Sequence, residues 1–524
     1  MTVLDAAGRR TIGGLLDERA ADVPDQTFLV FEAADGTVVE LSYAAFRDRV
    51  RACARGFAEL GVGEDDCVVV QLRNSPEILV AFFALAHLGA IFVPSNVANT
   101  APELRHVLAV CGARVAVTEP AYLPAVTAAG DGRTTIVVAR GEAAGHRSFA
   151  ALEASAGDPP PAVTDPLKTV ELIFTSGTTS APKAVMLTHA NCLHSGQQTV
   201  QALWLGAGER CITALPLFHV NAQAISLFAA LVSRGTLVLL EEFRASRFWD
   251  QLRAHRATQT AIVAMQLRVL LARPPATTDR AHALRRVFYA LNVSTAEKEA
   301  FEQRFGVRLI NGYGLSEAMT LLTVGPVIGD GRWPSVGLPA PGRALRLVDD
   351  AGRDVGPGEV GEVVVRGDPG RTIMAGYYGD PDATATAIRD GWLHTGDKAY
   401  ADDDGFVFFF DRKKDMIKRA GENVSASEVE VVLSGHPAVA DVAVVGVPDP
   451  IRDEAVAAAV VLEPGASLTA DELIAYCGER LARFKVPTVV AFRDDLPKTS
   501  VGKLRKAELR DELAAAVVVE PQRG

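Results

Sequence analysis

The chain has 524 residues, 48% of them hydrophobic, and carries a net charge of −11. An acidic balance of this size excludes the broad basic face that nucleic-acid phosphates require. The six cysteines are scattered, with no CxxC pair, so the expectation is reduced thiols in a cytoplasmic protein rather than a disulfide framework. Length sets a soft prior of about three domains.

In chain order, the start "MTVLDAAGRRTIGGLL" lacks the apolar core of a signal segment. The most apolar stretch, "ILVAFFALAHLGAIFV" (78–93), is shorter than the ~20 residues that span a bilayer and contains His87. With Asn74 or Ser75 as cap and Pro76 in the first turn, it reads as a buried helix. No membrane is implied. "CVVVQL" before it and "IFVPSN" at its end complete a β-α-β unit, and "ARVAVTEP", "TTIVVAR", "TLVLLEE" and "RLINGYG" supply further strands. Short β-rich runs alternating with helical patterns predict parallel α/β sheets, whose ligands bind beyond the carboxyl ends of the strands. "DPPPAVTDP" (158–166) is a stiff surface link.

Over residues 343–411 the pattern changes to alternating apolar and polar positions between Gly and Asp turns, which predicts a small antiparallel β-barrel or sheet. After "DRKKD" a separate α+β domain follows, with capping boxes at Ser427–Glu430 and Thr469–Glu472 and strands "ADVAVVGV" and "AVAAAVVLE" between them.

Several motifs carry chemistry. "TSGTTSAPK" (175–183) follows an apolar strand. Thr175, Ser176, Thr178, Thr179 and Ser180 supply hydroxyls, Gly177 admits a close backbone, and Lys183 adds a cation: the means of holding a polyphosphate. It is not a Walker A loop, because the second glycine and the Lys–Ser/Thr ending are missing. In "NGYGLSE" (311–317), Tyr313 can stack on a purine, Gly314 beside it is a further candidate for the nucleotide, Ser316 can donate to phosphate, and Glu317 can hold Mg2+ bridging phosphate oxygens. "GWLHTGD" ends in Asp397, suited to ribose hydroxyls. "DRKKDMIKRAGENVSASEVE" (411–430) and "PKTSVGKLRK" (497–506) complete the set in order.

On these five motifs, spread across nearly all of the chain, the sequence resembles the adenylate-forming superfamily of acyl- and aryl-CoA synthetases, adenylation domains and luciferases. "TSGTTS", "FYALNVSTAEKEAFEQRFGVRL", "RWPSVG", "IRDEA" and "ARFKVP" are most similar to the carnitine/crotonobetaine CoA ligase branch. The resemblance implies a large N-terminal domain (1–412) of parallel α/β sheets plus a small β-barrel, and a mobile α+β C-terminal domain (413–524) hinged at Lys414. It implies ATP and CoA as co-substrates, Tyr313 at the adenine, Asp397 and Arg412 at the ribose, the 175–183 loop at the β- and γ-phosphates, and Glu317 at Mg2+. Lys503 is the implied adenylation lysine. Lys418, Gly421 and Glu422 match the segment forming the pantetheine tunnel in relatives, and Arg483 and Lys485 are candidates for CoA phosphates. The chemistry agrees. Joining a carboxylate to the α-phosphate brings two anions together, so a mobile cation is worth most in the transition state. The second half-reaction needs a nucleophile where that cation stood, so the small domain must swing away.

The loop departs from the family form TSGTTGxPKG at Ser180 and Ala184, and "FYALNVS" places Leu291 and Asn292 where relatives have a Gly-rich turn. His219 of "PLFHVNAQ" stands at the substrate entrance in relatives. Polar Asn221, Gln223, Asn292 and Ser294 then predict a short polar or unsaturated acid rather than a long fatty acyl chain. A second reading keeps adenylation but activates nitrite and passes it to an aryl amine, a diazotase-type reaction without CoA; the small pocket suits that anion, and one fold hosts different acceptors.

Overall fold

The computed structural model describes residues 9–175, 182–290, 295–412, 416–497 and 506–519. Two parallel sheets dominate it. In the first, of nine strands, Leu309–Leu315, Arg286–Ala290, Gln259–Val263, Arg210–Thr213, Thr236–Leu240 and Thr27–Glu32 run parallel, with antiparallel strands at both edges. In the second, of eight, Thr169–Thr175, Ile91–Pro94, Cys67–Gln71, Val115–Thr118, Thr135–Val138 and Arg147–Ser148 run parallel, and the antiparallel strand Lys183–Thr188 follows Thr169–Thr175 directly. Fully buried strands such as Cys67–Gln71 are covered on both faces, as parallel sheets need.

Helices Tyr43–Glu59, Pro76–Leu88 and His189–Ala202 fill the layer between the sheets, and one continuous core includes residues of both. Phe82 stacks on Phe92 at 4.4 Å and meets Phe228 edge-on at 6.0 Å, so one ring joins helix, strand and the π-helical turn Gln223–Phe228. The apolar run 78–93 is therefore a helix only to Leu88. Gly89 takes φ 72°, a conformation that ends helices at little cost to glycine, and Ile91–Pro94 is already a strand. Among the described residues no helix is long and apolar enough to cross a membrane.

The segment 344–412 forms five antiparallel strands, with Val407–Arg412 branching from Trp392–Ala401. Its ladders do not close on themselves among the described residues, so of barrel and sheet the structure has the sheet. From Met416 onward the chain builds its own five-stranded sheet and two apolar clusters containing only residues of that part. The capping box at Thr469–Glu472 is present. At the one expected at Ser427–Glu430 the helix already begins at Ala426, so Ser427 lies inside it, and Glu430 accepts from the Val444 N–H at 2.7 Å and pairs with Lys506.

Ser75 caps its helix, accepting from Ile78 N at 3.3 Å. Asn74 is 4% exposed and ties the sheets together: it donates to the carbonyls of Leu215 and Leu240, both at 3.0 Å, and accepts from Leu217 N at 2.9 Å. Asn74→Ala would leave three buried backbone groups unsatisfied. We expect a loss of about 3 kcal/mol in unfolding free energy, read by denaturant titration; a loss under about 0.5 kcal/mol would mean that water replaces the amide without penalty.

Candidate active site

The strands Thr169–Thr175 and Lys183–Thr188 are antiparallel neighbours, with Thr175 opposite Lys183, so the two ends of the hydroxyl-rich loop meet at the carboxyl edge of the sheet. Ser176, Gly177, Thr178, Thr179 and Ser180 lie outside the described residues. Lys183 places its Nζ 5.0 Å from the centre of the Tyr377 ring, and the Tyr377 hydroxyl donates to Glu317 Oε1 at 3.0 Å. The tyrosine thus couples the loop's cation to the candidate metal carboxylate. Burial raises the Tyr377 phenol well above its ordinary value and Glu317 reinforces the shift, so it stays a hydrogen-bond donor.

Glu317 sits in the short turn Ser316–Ala318, beside Ser316. Met374 N donates to its backbone carbonyl at 2.7 Å, and the buried Arg343 donates to the carbonyls of Ala318, Leu321 and Thr372. Just before this turn, a Cβ on Gly314 would lie 1.9 Å from the Thr320 carbonyl oxygen, so only glycine lets these strands pass. Tyr377 and Arg343 carried no local signal in the sequence. The first lies in a two-residue strand and the second in a turn, and both gain their roles through contacts with residues far along the chain.

At the other end of the edge, the Tyr313 hydroxyl donates to Asp397 Oδ2 at 2.6 Å; Asp397 is 5% exposed. Arg412 is the ladder partner of Asp397, so two expected ribose residues are neighbours along the backbone. The Phe409 ring lies 5.9 Å from Tyr313, and Lys418 Nζ sits 4.9 Å over Phe409.

On the third side is His219, whose Nε2 is 3.0 Å from Glu422 Oε2. Glu422 belongs to the hairpin of Met416–Arg419 and Glu422–Ser425, and at its tip a Cβ on Gly421 would lie 3.5 Å from Val263. The second part of the chain therefore reaches into the first. Asn221 is half-buried, and its Oδ1 has no hydrogen-bond partner among the described residues. Gln223 is 1% exposed and donates to Glu171 Oε1 at 2.6 Å and to the Leu217 carbonyl at 2.8 Å, so it works as scaffold behind the pocket rather than on its open surface. Burial pushes the Glu171 carboxyl up to about 8, the Gln223 hydrogen bond opposing only part of that rise, which favours its neutral form. Asn292, Ser294, Lys414 and Lys503 lie outside the described residues.

The sequence matches the AMP-binding enzyme family over residues 16–378 and the AMP-binding enzyme C-terminal domain over residues 428–503. It is 38% identical to a crotonobetaine/carnitine–CoA ligase of Salmonella arizonae, over 97% of this chain and 100% of that protein. An o-succinylbenzoate CoA synthetase of Bacillus subtilis, a double mutant bound to its product analogue OSB-NCoA, superposes with a TM-score of 0.83 at 26% identity, covering 95% of this chain and 98% of that one. The amide bond synthetase McbA of Marinactinospora thermotolerans gives 0.84 at 29% identity, covering 95% and 99%.

Burial lowers the His219 pKa, but the charge and hydrogen bond of Glu422 outweigh it, so the net shift is upward; burial raises Glu422, and His219 brings it below its ordinary value. The pair therefore favours the docked hairpin while His219 is protonated and Glu422 ionised. It is lost as pH rises through the raised histidine value. Interdomain fluorescence transfer should fall as pH rises above the ordinary histidine range, with the slope flattened in Glu422→Gln. An equal slope in that variant would assign the pH dependence to other groups.

Proposed function

The chain belongs to the AMP-binding enzyme family, and on that footing we propose that it is an ATP-dependent acid–CoA ligase acting on a short, polar or unsaturated carboxylic acid. The acid's carboxylate attacks the α-phosphorus of ATP and expels pyrophosphate; the CoA thiolate then attacks the acyl carbon of the adenylate and expels AMP. The observation that carries this reading is the Glu422–His219 contact. It lays the hairpin of the small part across the acyl side of the site, where a second nucleophile has to be guided in.

The residue roles are those the family resemblance implies. Lys183 and the 175–183 loop take the β- and γ-phosphates. Tyr313, Gly314 and Ser316 border the adenine and phosphates, and Asp397 and Arg412 take the ribose. Lys418 borders the path of the CoA pantetheine. His219, Asn221, Asn292 and Ser294 border the acid, with Gln223 and Glu171 behind them. Lys503 neutralises the two anions during adenylation. We place the division between the domains at 412/413, with Lys414 as the hinge. Mg2+ suits Glu317: a single carboxylate at the mouth of a phosphate loop is the usual protein share of such a site, the remaining ligands being phosphate oxygens and water. When bound, the ion offsets the charge of the departing pyrophosphate. The six buried, unpaired cysteines suit a cytoplasmic enzyme.

CoA is preferred over nitrite and amine because the relative matched along its whole length is a CoA ligase. The likeness to an amide bond synthetase makes an amine the second acceptor to test. Carboxylic acids and nitrite are offered separately with ATP, pyrophosphate exchange is measured, and CoA or an aryl amine is then added. Acid-dependent exchange with thioester formation is expected. Nitrite-dependent AMP release with amine consumption and no need of CoA would overturn the ligase reading. Lys503→Ala should abolish adenylate formation yet spare thiolysis of preformed acyl-adenylate, and equal loss in both halves would contradict the swinging domain.

A further inference from the structure

Lys485 is 8% exposed, and its Nζ donates to Glu103 Oε1 at 2.8 Å and to Glu428 Oε1 at 2.9 Å. Glu103 belongs to helix Ala101–Cys111 of the large part and Glu428 to helix Ala426–Ser434 of the small one. The ammonium is thus enclosed by carboxylates, which disfavours the CoA phosphate expected there from the sequence. Burial works against its charge, but the two carboxylates more than offset this and keep it protonated.

Around this contact the two parts are joined by more than charge. Glu103 Oε2 accepts the Thr100 N–H at 2.8 Å, and Thr100 Oγ1 lies 3.1 Å from the Arg480 carbonyl and 2.9 Å from Glu103 Oε2, its one proton serving either acceptor in turn. The capping box of the helix at 101–111 is therefore also its docking plate. From Lys485 the connection continues inward: Arg419 Nη1 donates to the carbonyls of Phe484 and Val486, at 3.0 and 2.9 Å, clasping the backbone on either side of Lys485. Arg419 ends the first strand of the hairpin whose next turn carries Glu422 to His219.

We propose that Lys485 is a positioning residue for the transfer half-reaction: by bridging Glu103 and Glu428 it docks the small domain so that the Arg419-clasped hairpin brings Glu422 to His219. This rests on the ligase reading above, and Lys485 itself touches no substrate. The arrangement also lets the domain leave at little cost. On release Lys485 keeps Glu428, and Glu103 keeps the N–H and hydroxyl of Thr100, so neither buried charge loses every partner. Arg268 on the other flank repeats the pattern, holding Glu297 of its own part and Asp453 of the small one, and Asp453 is paired with Arg419 in the sheet.

The test uses the full-length Lys485→Met and Lys485→Arg variants. For Lys485→Met, ATP–pyrophosphate exchange should stay within about twofold of wild type, while single-turnover transfer from preformed adenylate to CoA falls at least about tenfold with little change in the KM for CoA. Lys485→Arg should recover most of the transfer rate. Interdomain fluorescence transfer, read without substrates, should drop in Lys485→Met and be retained in Lys485→Arg. Undiminished docking, a parallel loss of both half-reactions, or a rise in the KM for CoA at unchanged kcat would each overturn the proposal. Undocking of Lys485→Met in a protein that shows no acid-dependent exchange would sink the ligase reading and leave the latch standing.

Discussion

The burial of one helical layer between two parallel sheets is the constraint on which everything else rests. Helix Pro76–Leu88 is apolar on all sides, a pattern that no single sheet can cover. With Phe82 wedged against Phe92 and Phe228, each sheet supplies one wall, and Asn74 ties one wall to the other through three backbone hydrogen bonds. The edges bearing Thr175 and Leu315 are thereby held together, and the candidate phosphate-loop and metal residues stand on that shared rim.

The rim is organised around charge. A reaction that joins a carboxylate to a triphosphate gathers more negative charge than one side chain can offset, so cations and donors from distant segments have to converge. Lys183 and Tyr377 bring a cation and a donor beside the candidate metal carboxylate Glu317, and the Tyr313 hydroxyl holds Asp397 on the same rim. Where the two parts of the chain meet, Lys485 and Arg268 each lie between a carboxylate of their own part and one from the other. An ion pair of that kind specifies a position without locking it, because separation leaves the cation with one partner still in place.

The small part meets the large one through a hairpin supported from both sides. Its first strand ends at Arg419, which holds the 484–486 backbone and pairs with Asp453 in the sheet. The tip can then reach His219 with little freedom of its own. Placement of the tip is thus decided by contacts remote from it, on helix Ala101–Cys111 and at Arg268.

Much of this was legible in the order of residues. The β-rich runs, the switch to alternation after residue 343, the hydroxyl-rich loop and the Tyr-Gly-Leu-Ser-Glu turn are local patterns, and local patterns need only neighbours in sequence to take effect. What the residue order left open was decided across long separations. Gln223 reads as a pocket residue until Glu171 claims its amide; Lys485 reads as a phosphate ligand until two carboxylates from different parts of the chain enclose it; Glu430 reads as half of a capping box until Val444 and Lys506 take it. In each case the side chain's chemistry was plain from the sequence and its partner was not. Which polar group a buried donor or ion meets depends on how sheets and domains pack, and that packing is set by the whole apolar core rather than by any stretch of residues around the group itself.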